Sequence, residues 1–215
     1  MKPVTLLLSI FIFANYSCQQ KKPANNTKEF EGKITYEISV VSKTNAISTQ
    51  NLQKLYGTKM TKYFKKGNFK MSYNGEDIKT IYFIKDENKE YDYRNGIDTL
   101  FVTSYSDENR KLINSTFDKS EKTILNRKCK LLIHELENTK NYYWYDSSLY
   151  IDPENYKDSK FSFTDIYFRQ AKAPWLKYKY DGKNITINYT AIQISEEKLD
   201  DNIFYLPNLP QSYYP

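Results

Sequence analysis

Histidine, cysteine and glycine are scarce in this 215-residue chain, and each scarcity excludes a class of chemistry. His134 is the only histidine. Without a second imidazole or a cysteine pair beside it, a transition-metal site has too few ligands. A Cys-His pair would need Cys129 and His134, which are five residues apart and fall on opposite faces of a regular strand. The spacing predicts an ordinary strand histidine near the surface. Two cysteines are too few for a disulfide framework, and Cys129, alternating with Lys128 and Lys130, reads as a buried structural thiol. Six glycines form no phosphate-cradling loop, and no Gly-x-Ser-x-Gly elbow occurs. A nucleic-acid-binding motif is also missing, so nucleic acid is not an expected partner. Glu196, Glu197, Asp200 and Asp201 crowd one predicted helical turn, with a spacing that matches no EF-hand loop. No metal or cofactor is implied, and an enzyme is disfavoured. A hydrolase using Glu197 and Asp201 is the one catalytic alternative the residues leave open.

Long hydrophobic runs are absent as well. The apolar stretch from Val4 to Ala14 is shorter than the roughly 17–25 residues a spanning helix needs. With Lys2 before it and Asn15, Tyr16 and Ser17 after it, residues 1–17 read as an export signal that is cut off. The Ser17-Cys18 ending resembles the lipobox of bacterial lipoproteins. That resemblance implies acylation of Cys18, anchoring to a membrane through the acylated N-terminus, and no internal disulfide partner for Cys129. It places the protein in the cell envelope. Gln19 and Gln20 stand where an aspartate could signal inner-membrane retention, and no acidic cluster follows Cys18, so an outer-membrane position facing the periplasm is expected. Residues 18–29 are polar and aperiodic, and form a flexible tether. Ten extended residues of it reach roughly 33–36 Å.

What the chain has in abundance is aromatic side chains, 21 Tyr and 12 Phe, a composition that favours strands. The formal charge is +6, with the lysines spread among apolar residues as on the wet faces of strands. From Phe30, alternation puts Ile34, Tyr36, Ile38 and Val40 on one face of a long half-buried strand. Leu52, Leu55 and Tyr56 at helical spacing, stopped by Gly57, predict one short helix. Between Thr58 and Thr103, turn signals at Lys66-Gly67, Asn74-Gly75, Asp86-Glu87-Asn88 and Asn95-Gly96 divide five strand-length runs, a meander of antiparallel strands. Further strands are predicted over Leu112–Phe117, Arg127–Leu136, Asn141–Tyr145, Trp175–Tyr180 and Asn184–Ser195. Asp152-Pro153-Glu154 signals a helix start. Ile185, Ile187 and Tyr189 have the opposite parity from Ile192 and Ile194, which calls for a bulge near Thr190-Ala191. After a helical turn over Glu196–Asn202, Pro207, Pro210 and Pro215 are expected to break regular structure.

In the C-terminal half, Asn126-Arg127-Lys128-Cys129-Lys130, Tyr143-Trp144-Tyr145, Ile151-Asp152-Pro153-Glu154-Asn155-Tyr156-Lys157 and the run from Ile194 to Pro207 follow one another in a familiar order. They resemble a family of uncharacterised Bacteroidota lipoproteins that is similar to the LolA/LolB lipoprotein-carrier superfamily. The resemblance covers most of residues 30–207, which would form one domain followed by a tail over 208–215. It implies a mainly β (α+β) fold: a curved antiparallel sheet, or half-barrel, with a few short helices across its concave face. It also implies an apolar cavity between sheet and helices, lined by Ile34, Tyr36, Ile38, Phe69, Met71, Ile185 and Ile187. The same residues would equally form a filled core, because apolar alternation is identical in both cases. The function implied is non-catalytic binding of a lipid, lipoprotein or other hydrophobic ligand. The alternative is an interaction or scaffold module whose partner is another envelope protein.

Overall fold

The structure, a computed structural model, describes residues 28–214. The predicted signal peptide, Cys18 and nearly all of the tether lie outside the described residues. Strand β1, Gly32–Ser42, is the long strand that alternation predicts, with Ile34, Tyr36, Ile38 and Val40 all buried. It pairs on one side with β2, Lys59–Lys65, and then in meander order come β3, Asn68–Tyr73, β4, Ile78–Ile84, β5, Lys89–Arg94, and β6, Leu100–Ser104. On its other side β1 pairs with β11, Ile185–Glu196, followed outward by β10, Trp175–Gly182, β9, Thr139–Tyr145, β8, Arg127–Leu136, and β7, Leu112–Ile124. The result is one open, curved sheet of twelve strands, with β1 as the seam between an N-terminal and a C-terminal wing.

Two departures from the predicted strand list concern the sheet's edges. β7 runs to Ile124 rather than Phe117, and most of its residues are exposed. The prolines near the C-terminus do not end regular structure: Gln211–Tyr213 forms β12, parallel to β6 at the opposite edge. The bulge called for by parity is present. Thr35 faces Gln193 and Tyr36 faces Ala191, leaving Ile192 as the extra residue, turned outward and 45% exposed.

Helix α1, Thr49–Tyr56, is capped by Ser48, whose side chain accepts from the Asn51 N–H, and packs Leu52 into the core. Its Gln53 fills a gap in the sheet. Beyond Glu37 strand β2 no longer accompanies β1, and the Gln53 side chain accepts from Val40 N at 3.0 Å and donates to Ile38 O at 3.2 Å. Opposite lies the segment from 153 to 171, which contains two 3-10 turns, Pro153–Tyr156 and Phe161–Phe163, and helix α2, Thr164–Ala171. Asp152 caps the first turn, as its sequence predicts. Tyr156 stacks on Phe168 at 3.9 Å and reaches Phe83 of β4 at 5.7 Å between ring centroids. Tyr167 lies 4.7 Å from Tyr143 of β9, so aromatic contacts pin this segment to both wings.

Both faces of the N-terminal wing are covered. Phe69 and Phe83 belong to the main core, whereas Tyr82, Tyr91, Leu100 and Val102 form a separate cluster with Leu206 and Leu209 packed against it. The sheet and both clusters lie wholly within the described residues.

Candidate ligand cavity

Where the two wings face each other beneath the 153–171 segment, packing is incomplete and leaves a half-open cavity of about 280 Å³. β2 contributes Met60 and Lys62, β3 contributes Phe69, Met71 and Tyr73, and β5 contributes Glu90. Tyr143, Trp175, Tyr178 and Tyr189 come from the other wing. Phe161, Tyr167 and Phe168 form the cover. A second hollow of about 290 Å³ lies under α1 and shares Tyr73 and Tyr189 with the first. Those two tyrosines are the partition between them.

Two ionisable groups stand among these rings. Lys62 is 6% exposed, and its ammonium has no hydrogen bond or ion pair with any described residue. It lies 4.0 Å from the ring centroid of Phe69, 5.1 Å from that of Phe64 and 5.5 Å from that of Trp175. Cation–π attraction is thus its only close stabilisation. Burial pushes its pKa down to about 7, against a smaller upward pull from Glu90. Glu90 is moved the other way: burial first, then the neighbouring Asp92, raises its carboxyl well above the usual carboxylate range. Tyr105 donates a hydrogen bond of 2.5 Å to Glu90 Oε2. Asp92, two residues along the same face of β5, accepts from the Tyr214 hydroxyl at 2.5 Å. Arg94 in turn donates to the Tyr214 hydroxyl at 2.9 Å and pairs with Asp77 at 3.1 Å. A row of polar groups therefore runs from the cavity to the β12 edge.

Of the residues the resemblance assigned to a cavity, Phe69 and Met71 line this one. Ile34, Tyr36, Ile38 and Ile187 are buried in the main core, and Ile185 is half-buried against it. Around them the interior is filled: the Tyr36 ring lies 4.4 Å from that of Trp175, and its hydroxyl donates to the Trp175 carbonyl at 2.7 Å. Cys18 lies outside the described residues. Glu197 pairs with Lys33 at 2.8 Å and Asp201 with Lys65 at 2.6 Å, and neither lines the cavity. His134 is not near the surface. Its side chain is fully buried, edge-on to Tyr143 at 5.1 Å, and burial holds its pKa down at about 4. The alternation of β8 slips at Leu131 and Leu132, both buried, so Cys129 and His134 are both inside despite their odd spacing.

Lys62 and Glu90 are the site residues that sequence reasoning missed. The signal for Lys62 was present, since it is in phase with Met60 and Phe64 on the apolar face of β2.

No protein-family model and no curated protein matches this sequence. Solved structures do match. PNGF-II, in its C2 and P21 crystal forms, aligns with a TM-score of 0.51 in each, at 13% and 10% identity, over 86% of this chain. The chain spans about a third of the length of PNGF-II, 31% and 32% in the two forms. The Mycobacterium tuberculosis lipoprotein LppX aligns with a TM-score of 0.35 at 8% identity, covering 79% of this chain and 89% of that one. LprF from Mycobacterium bovis aligns with a TM-score of 0.34 at 9% identity, covering 79% and 88%. The likeness to PNGF-II is one of fold: a mainly β chain built on an open, curved, mostly antiparallel sheet.

Proposed function

We propose that this protein is a membrane-anchored envelope lipoprotein that binds a small hydrophobic ligand in the cavity between the two wings, without covalent chemistry. The observation that carries this reading is the cavity itself: a half-open hollow walled by aromatic rings, beside a closely packed seam at Ile34, Tyr36 and Ile38. The leader and the Ser17-Cys18 junction support the anchoring, and the resemblance of the C-terminal half to the LolA/LolB superfamily supports a hydrophobic ligand. Size limits the ligand. A water-sized unit takes about 30 Å³, so 280 Å³ holds roughly nine such units, one medium acyl chain or a small ring system. Each methylene moved from water to the cavity contributes about 0.8 kcal/mol.

Native mass spectrometry of the chain from residue 19 onward, purified from a periplasm without detergent, tests the reading. A stoichiometric small-molecule adduct is expected. A bare mass that persists after incubation with bacterial lipid extract and medium-chain amphiphiles would overturn it. A second reading, an interaction module, is favoured by the free edge of β7, where Ile113 and Phe117 are each 57% exposed. Crosslinking in intact cells that captures one dominant protein would support that alternative.

A further inference from the structure

We infer that the ligand is an amphiphile with an anionic head, a carboxylate or phosphate, which Lys62 receives while the tail lies among Phe69, Met71 and Trp175. This rests on the proposed binding function and specifies its ligand class. A purely apolar ligand needs only an apolar wall, and methionine or leucine at position 62 would supply it. Lysine there puts a cation on the cavity wall with no ion-pair partner among the described residues: 94% of the residue's surface is buried, and no described carboxylate lies within ion-pair distance. A buried ion without a counter-ion is costly, and an incoming anion removes that cost.

The nearby carboxyls do not fill this role. Burial and the charge of Asp92 both disfavour the ionised form of Glu90, so its carboxyl stays protonated at neutral pH and the two residues together carry a single negative charge. The charge then rests on Asp92, which does not line the cavity and is held by the Tyr214 hydroxyl and the nearby Arg94. The other polar groups facing the cavity are neutral hydroxyls, among them those of Tyr73, Tyr143, Tyr178 and Tyr189. Burial raises the pKa of each, so they remain protonated hydrogen-bond donors. Lys62 is therefore the one uncompensated charge on the cavity wall among the described residues.

The test compares octanoate, octyl phosphate and octanol, which share one tail, by calorimetric titration into the chain from residue 19 onward at pH 6, where Lys62 carries its proton. A charge-assisted hydrogen bond makes the wild type favour octanoate or octyl phosphate over octanol on the order of tenfold or more. Whichever anion binds more tightly separates a carboxylate from a phosphate head. In Lys62→Met the preference disappears while octanol still binds, and in Lys62→Arg much of it returns. Thermal unfolding of each variant verifies that it is folded. Equal binding of octanol and both anions by the wild type would overturn the anionic head and leave a hydrophobic site. No binding of any of the three would overturn both readings.

Discussion

Replacing Lys62 by methionine should make the protein more stable, which is unusual for a change at a residue with 6% exposure. The magnitude follows from the cost of holding an ammonium among rings. The gap between the ordinary lysine pKa of 10.5 and about 7 corresponds to about 5 kcal/mol, at ~1.36 kcal/mol per pH unit. The cation–π contacts with Phe69, Phe64 and Trp175 offset about 1–2 kcal/mol of that. A methionine of similar length keeps the packing, so a net gain of about 3 kcal/mol is expected at pH 6. The sign with pH is fixed by linkage. Between pH 7 and 10.5 the unfolded chain holds a proton on Lys62 that the folded chain has released, so wild-type stability rises with pH through that window. The advantage of Lys62→Met is therefore greatest at low pH and shrinks as the pH rises from 7 towards 10.5.

Urea denaturation of wild type and variant at pH 6 and pH 9 measures both quantities. Because the charge of Glu90 also acts on Lys62, the pair of measurements should be repeated in a Glu90→Gln background, which removes that influence. A variant less stable than wild type at pH 6 would refute the reasoning. So would an advantage of equal size at the two pH values, because it would place the ammonium in water.

His134, fully buried with neither ring nitrogen satisfied by a well-formed hydrogen bond, should make the fold acid-sensitive. Its folded pKa of about 4 lies below the ordinary 6.5, so stability falls by about 3 kcal/mol as pH drops through that interval, and a His134→Leu variant should show a flatter profile by circular dichroism. Gly57 sits at φ 75° and ψ −178°, and a Cβ there would lie 2.4 Å from Gly75 N. Gly57→Ala should therefore cost about 2 kcal/mol or more in urea denaturation, and a neutral result would mean that α1 is free to move off the β3–β4 turn. Cys129, fully buried with its thiol pushed up to about 11, should resist maleimide under native conditions and react on unfolding. Rapid native labelling would contradict its burial.

The strands were legible because the sheet obeys period two for most of its length, and even the bulge at Ile192 followed from a change of parity that no flat strand could absorb. The edges were not legible in the same way. β7 continues through Asp118, Lys119 and Glu121 with a register shift against β8, and such residues carry no apolar alternation because both faces of that strand meet water. β12 has three exposed residues and is held by pairing with β6 rather than by burial. The cavity was hidden for a different reason. In Lys89–Arg94 the alternation places Tyr91 and Tyr93 on one face and Glu90, Asp92 and Arg94 on the other, so the usual rule turns the tyrosines inward. In this wing the chain from Leu206 to Leu209 covers the tyrosine face, and the carboxyls take the side that meets the cavity. That inversion depends on a segment more than a hundred residues away, which no local pattern reports.

The same comparison separates packing from function within one interior. At the seam, Ile34, Tyr36, Ile38 and Ile187 are apolar, buried and closely fitted, as a core requires. One strand over, Met60 and Phe64 continue that surface, but the residue between them in phase is Lys62, and it adjoins a region where the two wings leave space. Nothing in the sheet pairing requires a cation there, since the backbone of β2 is satisfied by β1 and β3 whatever the side chain. An apolar residue would close the gap and stabilise the fold by several kcal/mol on the reckoning above. Stability given up at a single position, beside an unfilled volume and ringed by aromatic side chains, is what the proposed binding function would cost this fold. A core that had only to stay folded would have no use for it.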